Sequence, residues 1–359
     1  MADRPLTTPI WSPAGDCIYF QESHHGKTTL KRIDLHGNLH DVLEGDGVFS
    51  NISLSGDGQT LAYIWSDFGE PGQIYRSDVN GEERKQLTDV NREWLDKIDL
   101  GEMQTVWIEG PDGNDLQGWI LTPPGFDPSN EYPSILEIHG GPWLQYGQIF
   151  MHEFYFLAAR GYVVHFCNPR GGHGYGEEHG KAIQQRWGDP DYADVMAWTD
   201  HVAAQPYVAA QRMGITGGSY GGYLTLWVIG HTQRFAAAVA QRVVSNLLGF
   251  WGSSDVGLLF EDPWAGGCPP WEALDQYWQQ SPVKHIASAT TPTLLIHSEQ
   301  DMRCHPEQGI QAFLAFKRLG VDTQLILFPE ESHGLSRGGR TDRRVARLQH
   351  ILRWFEKYL

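Results

Sequence analysis

Two kinds of hydrophobic pattern divide the chain. Through roughly the first ninety residues, apolar positions alternate with polar ones in short runs closed by Gly and Asp turns, which predicts short antiparallel strands. From Gly101 onward the pattern becomes compact apolar runs separated by stretches of helical spacing. Alternation of that kind predicts an α/β protein with a mainly parallel, doubly wound sheet.

The early strands repeat. Ser12-Pro13-Ala14-Gly15-Asp16-Cys17-Ile18-Tyr19-Phe20 reappears as Ser55-Gly56-Asp57-Gly58-Gln59-Thr60-Leu61-Ala62-Tyr63, an offset of 43 residues. Lys31-Arg32-Ile33-Asp34-Leu35-His36-Gly37 is echoed by Tyr75-Arg76-Ser77-Asp78-Val79-Asn80-Gly81, an offset of 44. That period is the size of one propeller blade, so residues 1–92 are expected to form a partial β-propeller of roughly two blades. A closed propeller takes about four to eight blades, because each sheet buries a face against the next and closure limits exposed edges. With so few blades the edges need cover, and a homo-oligomer is the expected way to supply it.

Residues 93–359 are expected to form the second domain, with eight strands. Runs at 104–108 and 116–121 flank Pro111-Asp112-Gly113-Asn114-Asp115 and predict a hairpin that opens the sheet. Strands follow near 133–138, 162–166, 213–216 and 236–240, and two more lead to Asp301 and His333. Helices are expected at 150–159, 192–204, 307–319 and 343–358. In the last, Val345, Leu348, Ile351, Leu352 and Phe355 give an apolar face suited to packing.

Chemistry enters at Gly217-Gly218-Ser219-Tyr220-Gly221-Gly222, which lies between a strand pattern and a helix pattern. A serine at so tight a corner is pushed out of the backbone with its hydroxyl exposed, and the glycines permit the sharp turn. This is the setting of a nucleophile elbow. A hydroxyl needs a base held by an acid, and on an α/β-hydrolase sheet those follow in the order acid, then histidine. Downstream, Thr293-Leu294-Leu295-Ile296-His297-Ser298-Glu299-Gln300-Asp301 and Thr323-Gln324-Leu325-Ile326-Leu327-Phe328-Pro329-Glu330-Glu331-Ser332-His333 each run from an apolar strand into a polar loop. Asp301 lies deeper in its loop than Glu299 and is the preferred acid. His297 falls within a strand and reads as a core or strand-end histidine, which leaves His333 as the base.

An electrophilic partner is expected on an earlier strand end. His139-Gly140-Gly141-Pro142 is a turn whose amides can face a developing oxyanion, so the amides of Gly141 and Tyr220 are the candidate oxyanion hole. Between Arg242 and Trp278 the chain is rich in aromatic residues. Phe250, Trp251, Phe260 and Trp264 suit an apolar pocket for a side chain or acyl group, and equally a core between helices. Arg242 follows the strand after the elbow and either meets a substrate carbonyl or carboxylate or makes an ordinary salt bridge. Arg170 either does the same or pins its glycine loop.

Together, His139-Gly140-Gly141-Pro142, Asn168-Pro169-Arg170-Gly171-Gly172-His173-Gly174-Tyr175-Gly176, the elbow, and His333-Gly334-Leu335-Ser336-Arg337 resemble the prolyl oligopeptidase family of serine peptidases, in particular its acylaminoacyl-peptidase-like branch. The resemblance spans about residues 95 to 359. It implies an α/β-hydrolase fold, a Ser219, Asp301, His333 triad, and hydrolysis of peptides or acylated amino-acid derivatives beneath a propeller. Gly172-His173 departs from the family, where a small polar pair is commoner, and puts substrate preference in doubt.

Composition narrows the partners. A chain of 359 residues that is 41% apolar can bury a large core. A formal charge of −17 repels a phosphate backbone, which argues against nucleic acid. The four cysteines, Cys17, Cys167, Cys268 and Cys304, are scattered without a CxxC pair, against a zinc site or disulfide framework; no metal and no cofactor are expected. The start, Met1-Ala2-Asp3-Arg4-Pro5, is polar and no apolar run is long enough to span a bilayer, so a cytoplasmic enzyme with no membrane partner is expected. The reading is a serine hydrolase of peptide or acyl-amino-acid bonds. A carboxylesterase on small esters with the same triad is the alternative, and a catalytically silent binding module the third reading.

Overall fold

The computed structural model describes residues 9–359, so the polar start at Met1 to Pro5 lies outside the described residues. Eight strands make up the amino-terminal part: β1 (Ile10–Trp11), β2 (Cys17–His24), β3 (Lys27–Asp34), β4 (Leu39–Leu43), β5 (Val48–Leu54), β6 (Thr60–Ser66), β7 (Gln73–Asp78) and β8 (Lys85–Gln86). They pair as two antiparallel sets, β1 to β4 and β5 to β8, joined by one parallel bridge between Thr28 and Val48. The sequence repeat has a local structural cause. Ser12 N donates to Cys17 O at 3.0 Å and Gly15 N to Ser12 O at 2.9 Å, while Ser55 N donates to Thr60 O and Gly58 N to Ser55 O, both at 2.9 Å. The Asp34–Gly37 and Asp78–Gly81 turns match in the same way, each closed by a Gly N–H on the Asp carbonyl at 3.1 Å. Inward residues Tyr19, Leu30, Leu43, Phe49, Leu61 and Tyr63 form one small core across both sets.

The second sheet contains β9 (Glu102–Glu109), β10 (Asp115–Thr122), β11 (Tyr132–Ile138), β12 (Val163–Cys167), β13 (Val208–Gly218), β14 (Ala237–Gln241), β15 (Thr293–Ser298) and β16 (Thr323–Phe328). Its order is β16-β15-β14-β13-β11-β12-β10-β9. The expected hairpin is present as β9 and β10, and β10 also pairs antiparallel with β12. All other pairs are parallel, from β12 to β16. Strands β12, β14 and β15 are buried throughout, as a sheet covered on both faces requires.

Helices fall where helical spacing predicts them, at His152–Ala158, Pro190–Ala203, Pro306–Leu319 and Thr341–Tyr358, with the elbow helix at Tyr220–His231. One face of the sheet packs on Trp187, Trp198, Tyr220 and Tyr223, the other on Trp119, Phe154, Phe166, Trp354 and Phe355. Val345 is the exception to the apolar stripe of the last helix, since it is exposed while Leu348, Ile351, Leu352 and Phe355 are buried. A short helical turn, Arg92–Leu95, separates the two sheets, and the boundary expected at 92/93 falls inside it.

The two parts meet at the tip of the β2–β3 hairpin. There His25 N donates to Gly174 O at 3.1 Å and Gly26 N to Gln145 Oε1 at 3.0 Å, while Gln148 N donates to Gly26 O at 2.7 Å. A Cβ on Gly147 would lie 1.9 Å from Gly26 O, so the two backbones cross at a distance only glycine permits.

Candidate active site

The carboxyl ends of β11, β13, β14, β15 and β16 converge on one rim of the sheet, the place where parallel α/β sheets gather ligands. Ser219 follows β13 and caps the elbow helix with φ 64 and ψ −122, a conformation that costs a non-glycine residue about 1–3 kcal/mol. Its neighbours must be small. A Cβ on Gly221 would come within 2.1 Å of Ile138 O, and one on Gly217 within 2.6 Å of Gly221 O. The elbow is braced from beneath by Tyr220, whose buried hydroxyl donates to Asp191 Oδ2. Burial pushes the Asp191 carboxyl up to about 6. Tyr220 itself is packed between Trp187 and Tyr223.

Asp301 is fully buried after β15. Its Oδ1 accepts from the N–H groups of Arg303 at 3.0 Å and Cys304 at 2.8 Å, which leaves Oδ2 for His333 Nδ1 at 2.8 Å. That bond fixes the proton on Nδ1 and presents Nε2 as an acceptor. Burial lowers the His333 pKa below its ordinary value, and the Asp301 hydrogen bond and charge partly oppose the shift. Ser219 and His333 line one cavity, although among the described residues Ser219 Oγ makes no hydrogen bond to the imidazole. Among the described residues its one hydrogen-bond partner is Cys304 Sγ at 4.0 Å. Such bonds are commonly long before substrate binds.

Glu299, the competing acid, is exposed and turned away, with its own N–H on Phe328 O. His297 is buried and bonds Cys304 O at 2.7 Å through Nε2, as a strand-end histidine would. His139 is also buried, with burial holding its pKa down at about 4, and its Nδ1 lies 2.7 Å from Gly140 O. Neither the Gly141 N–H nor that of Tyr220 has an acceptor among the described residues. Both residues border the space beside Ser219.

Ser219 sits between two cavities. One, of about 240 Å³, is apolar and is lined by Phe250, Phe260 and Trp264 together with Trp143, Trp187 and Tyr220. Trp251, expected in that wall, lies outside it: it packs edge-on to Trp271 at 5.4 Å and donates to Glu261 Oε1 at 2.8 Å. The short helix Leu247–Ser253 turns Phe250 inward and Trp251 away, a helical periodicity hidden by the aromatic richness of the segment. The other cavity, of about 430 Å³, is polar and holds His333 and Arg242. Arg242 thus faces the cleft, bonded through NH1 to Ser336 Oγ at 2.9 Å. Arg170 does the opposite and pins its loop, with Asp194 accepting at 2.9 and 2.8 Å.

A buried network in the polar cavity gave no signal in the sequence. Glu153 is paired with Arg347 at 2.6 Å, and Arg347 also bonds Gln241 Oε1. Burial alone would raise the Glu153 pKa, but the Arg347 charge and hydrogen bonds overcome it and the carboxyl is held low. Glu137, at the end of β11, is driven the other way, first by burial and then by the Glu153 charge. Among the described residues no group of three or more His, Cys, Asp or Glu side chains could hold a metal ion, and no helix is long and apolar enough to cross a membrane. Cys17, Cys167, Cys268 and Cys304 are all free thiols.

Residues 148–359 match the prolyl oligopeptidase family. An uncharacterized peptidase of Bacillus subtilis (strain 168), YuxL, is 38% identical over 352 residues, covering 98% of this chain and 53% of that protein. A dipeptidyl-peptidase 5 of Porphyromonas gingivalis is 29% identical and is covered over 48% of its length, against 90% of this chain. Among solved structures, an acylaminoacyl peptidase of Pyrococcus horikoshii superposes with a TM-score of 0.91 at 28% identity, over 99% of this chain and 56% of its own. An acylaminoacyl peptidase in complex with Z-Gly-Gly-Phe-chloromethyl ketone gives 0.91 at 29% identity, over 99% of this chain and 56% of its own. The chain spans about half the length of the curated relatives it matches.

Proposed function

Since the chain belongs to the prolyl oligopeptidase family, we propose that it is a serine peptidase cleaving peptide or acyl-amino-acid bonds through an acyl-enzyme on Ser219. The observation that carries this reading is the 2.8 Å His333–Asp301 bond beside a serine held at φ 64. Ser219 Oγ attacks the scissile carbonyl while His333 Nε2 takes its proton, and the same nitrogen then protonates the leaving amine. Asp301 holds the imidazole orientation and stabilises the imidazolium. The free amides of Gly141 and Tyr220 receive the oxyanion, worth about 2.7–4 kcal/mol per donor in such sites. Water then releases the acyl group by the same steps in reverse.

The apolar cavity takes the side chain or acyl group next to the scissile carbonyl, with Phe250, Phe260 and Trp264 as its wall. The two four-stranded units act as propeller blades beside the cleft, a reading supported by their 43- to 44-residue repeat and matching turns.

Ser219→Ala should lower turnover of an acyl-phenylalanine anilide by about 10⁴-fold or more with the fold intact. Retention of wild-type turnover, measured beside unchanged circular dichroism, would refute the assignment. Running p-nitrophenyl esters in parallel separates peptidase from esterase: ester turnover with no amide cleavage favours the latter. Failure of a fluorophosphonate probe to label Ser219 would instead favour a binding module.

A further inference from the structure

The polar cavity runs against the charge of the whole molecule. The chain carries a formal −17, yet five arginines line this space: Arg242, Arg303, Arg337, Arg344 and Arg347. Two are neutralised, Arg303 by Asp255 and Arg347 by Glu153, each at 2.6 Å. Among the described residues the other three have no carboxylate partner. Arg242 reaches only Ser336 Oγ, and Arg344 reaches only Arg337 O at 3.4 Å; the Nε atoms of Arg242 and Arg344 are buried without an acceptor.

Among the described residues no carboxylate of the wall forms an ion pair with these three. Glu153 is already committed to Arg347, and Glu137, 3% exposed, has a buried Oε1 with no partner. Burial, and then the Glu153 charge, raises the Glu137 pKa well above its ordinary value, against the opposing charges of Arg347 and Arg242. Burial lowers the Arg242 pKa, and repulsion from Arg337 and Arg347 adds to the shift. Like charges gathered around the buried Arg242 are costly, and an entering anion relieves the cost.

The position of the cavity says which part of a substrate it meets. Ser219 and Gly141 border both cavities, but Tyr220 borders only the apolar one, and His333 does not reach it. His333 lines the polar one. The group protonated by the histidine is the leaving group, so the leaving group extends into the arginine-lined space.

We propose that Arg242, Arg337 and Arg344 form a carboxylate-binding subsite on the leaving-group side of the scissile bond. The substrates it favours carry an anionic group close behind that bond, either a free chain terminus or an acidic side chain. The direction of the leaving group rests on the peptidase reading, whereas the anion site itself rests on the arginines.

The test separates the two. Ser219→Ala binds without turning over, so calorimetry on that variant compares an acyl-Phe-Gly acid with the matching acyl-Phe-Gly amide. Charge-assisted hydrogen bonds to two or three guanidiniums should make the acid bind at least about tenfold more tightly. Adding Arg337→Gln or Arg344→Gln should shrink that ratio several-fold. Arg337 is exposed and without a carboxylate partner, so its loss leaves the fold standing. An acyl-Phe-Asp amide forms the third arm: preference for it over the Gly amide assigns the site to acidic side chains, and preference confined to the Gly acid assigns it to chain termini. Equal binding of acid, Asp amide and Gly amide overturns the proposal, as does a ratio unmoved by both arginine variants. Acid preference in a protein that fails to cleave the acyl-phenylalanine anilide keeps the anion site and overturns the peptidase reading.

Discussion

The two sheets of this molecule handle their side chains in different ways, and the candidate site lies at the edge of only one of them. The carboxyl-side sheet is sandwiched between two cores, and its strands β12, β14 and β15 are buried from end to end. The amino-terminal strands share a single small core and leave Trp11, Leu35, Leu39 and Ile74 exposed. Ser219 at φ 64 and Arg242 at φ 39 both follow middle strands of the sandwiched sheet.

The largest test of that contrast is Arg347→Met. It leaves Glu153 buried without its partner beneath the site, and should cost about 3–5 kcal/mol, read as a lower guanidinium midpoint. A loss below about 1 kcal/mol would mean that water reaches the pair and that the site is not as dry as its burial indicates. Next comes Leu30→Ala in the small amino-terminal core, where about 2–3 kcal/mol is expected. Hydrogen exchange should then rise through residues 17–78 while the elbow strand stays protected. A uniform rise across both sheets would show that they unfold as one unit and would dissolve the distinction.

The smallest effect concerns His333. Its pKa lies below the ordinary value, mainly through burial, and in the base role proposed for it the imidazole works only when neutral. The acid limb of kcat/KM should therefore fall below the 6.5 of a free histidine, with activity persisting into mildly acidic buffer. A limb at or above that value would show that solvent reaches the imidazole or that Asp301 outweighs burial.

Much of this was readable in the chain because parallel strands buried on both faces leave unbroken apolar runs, and because the elbow needs glycines around Ser219. The 43- to 44-residue repeat was readable for a similar reason: Ser, Asp and Gly recur wherever the same turn must close. What escaped the pattern depends on partners far apart in sequence. Glu137 and Glu153 look like ordinary polar positions until Arg347, which lies 194 residues beyond Glu153, is brought beside them. Asp191 is silent for the same reason until Tyr220 folds onto it. Trp251 was misplaced because composition does not say which way a short helix turns its faces.

The crossing of Gly26 and Gly147 ties one wall of the cavity beside Ser219 to the amino-terminal sheet. Gln145, which lines the polar cavity, is held at both ends by that hairpin tip: it accepts from Gly26 N at 3.0 Å and donates to Lys27 O at 3.0 Å. The tip therefore sets the position of the cleft rim as a gauge sets a gap, with no side chain between the two backbones to absorb error. A change in this turn is therefore carried by the Gln145 amide straight to the cavity wall, without passing through the serine or its neighbours.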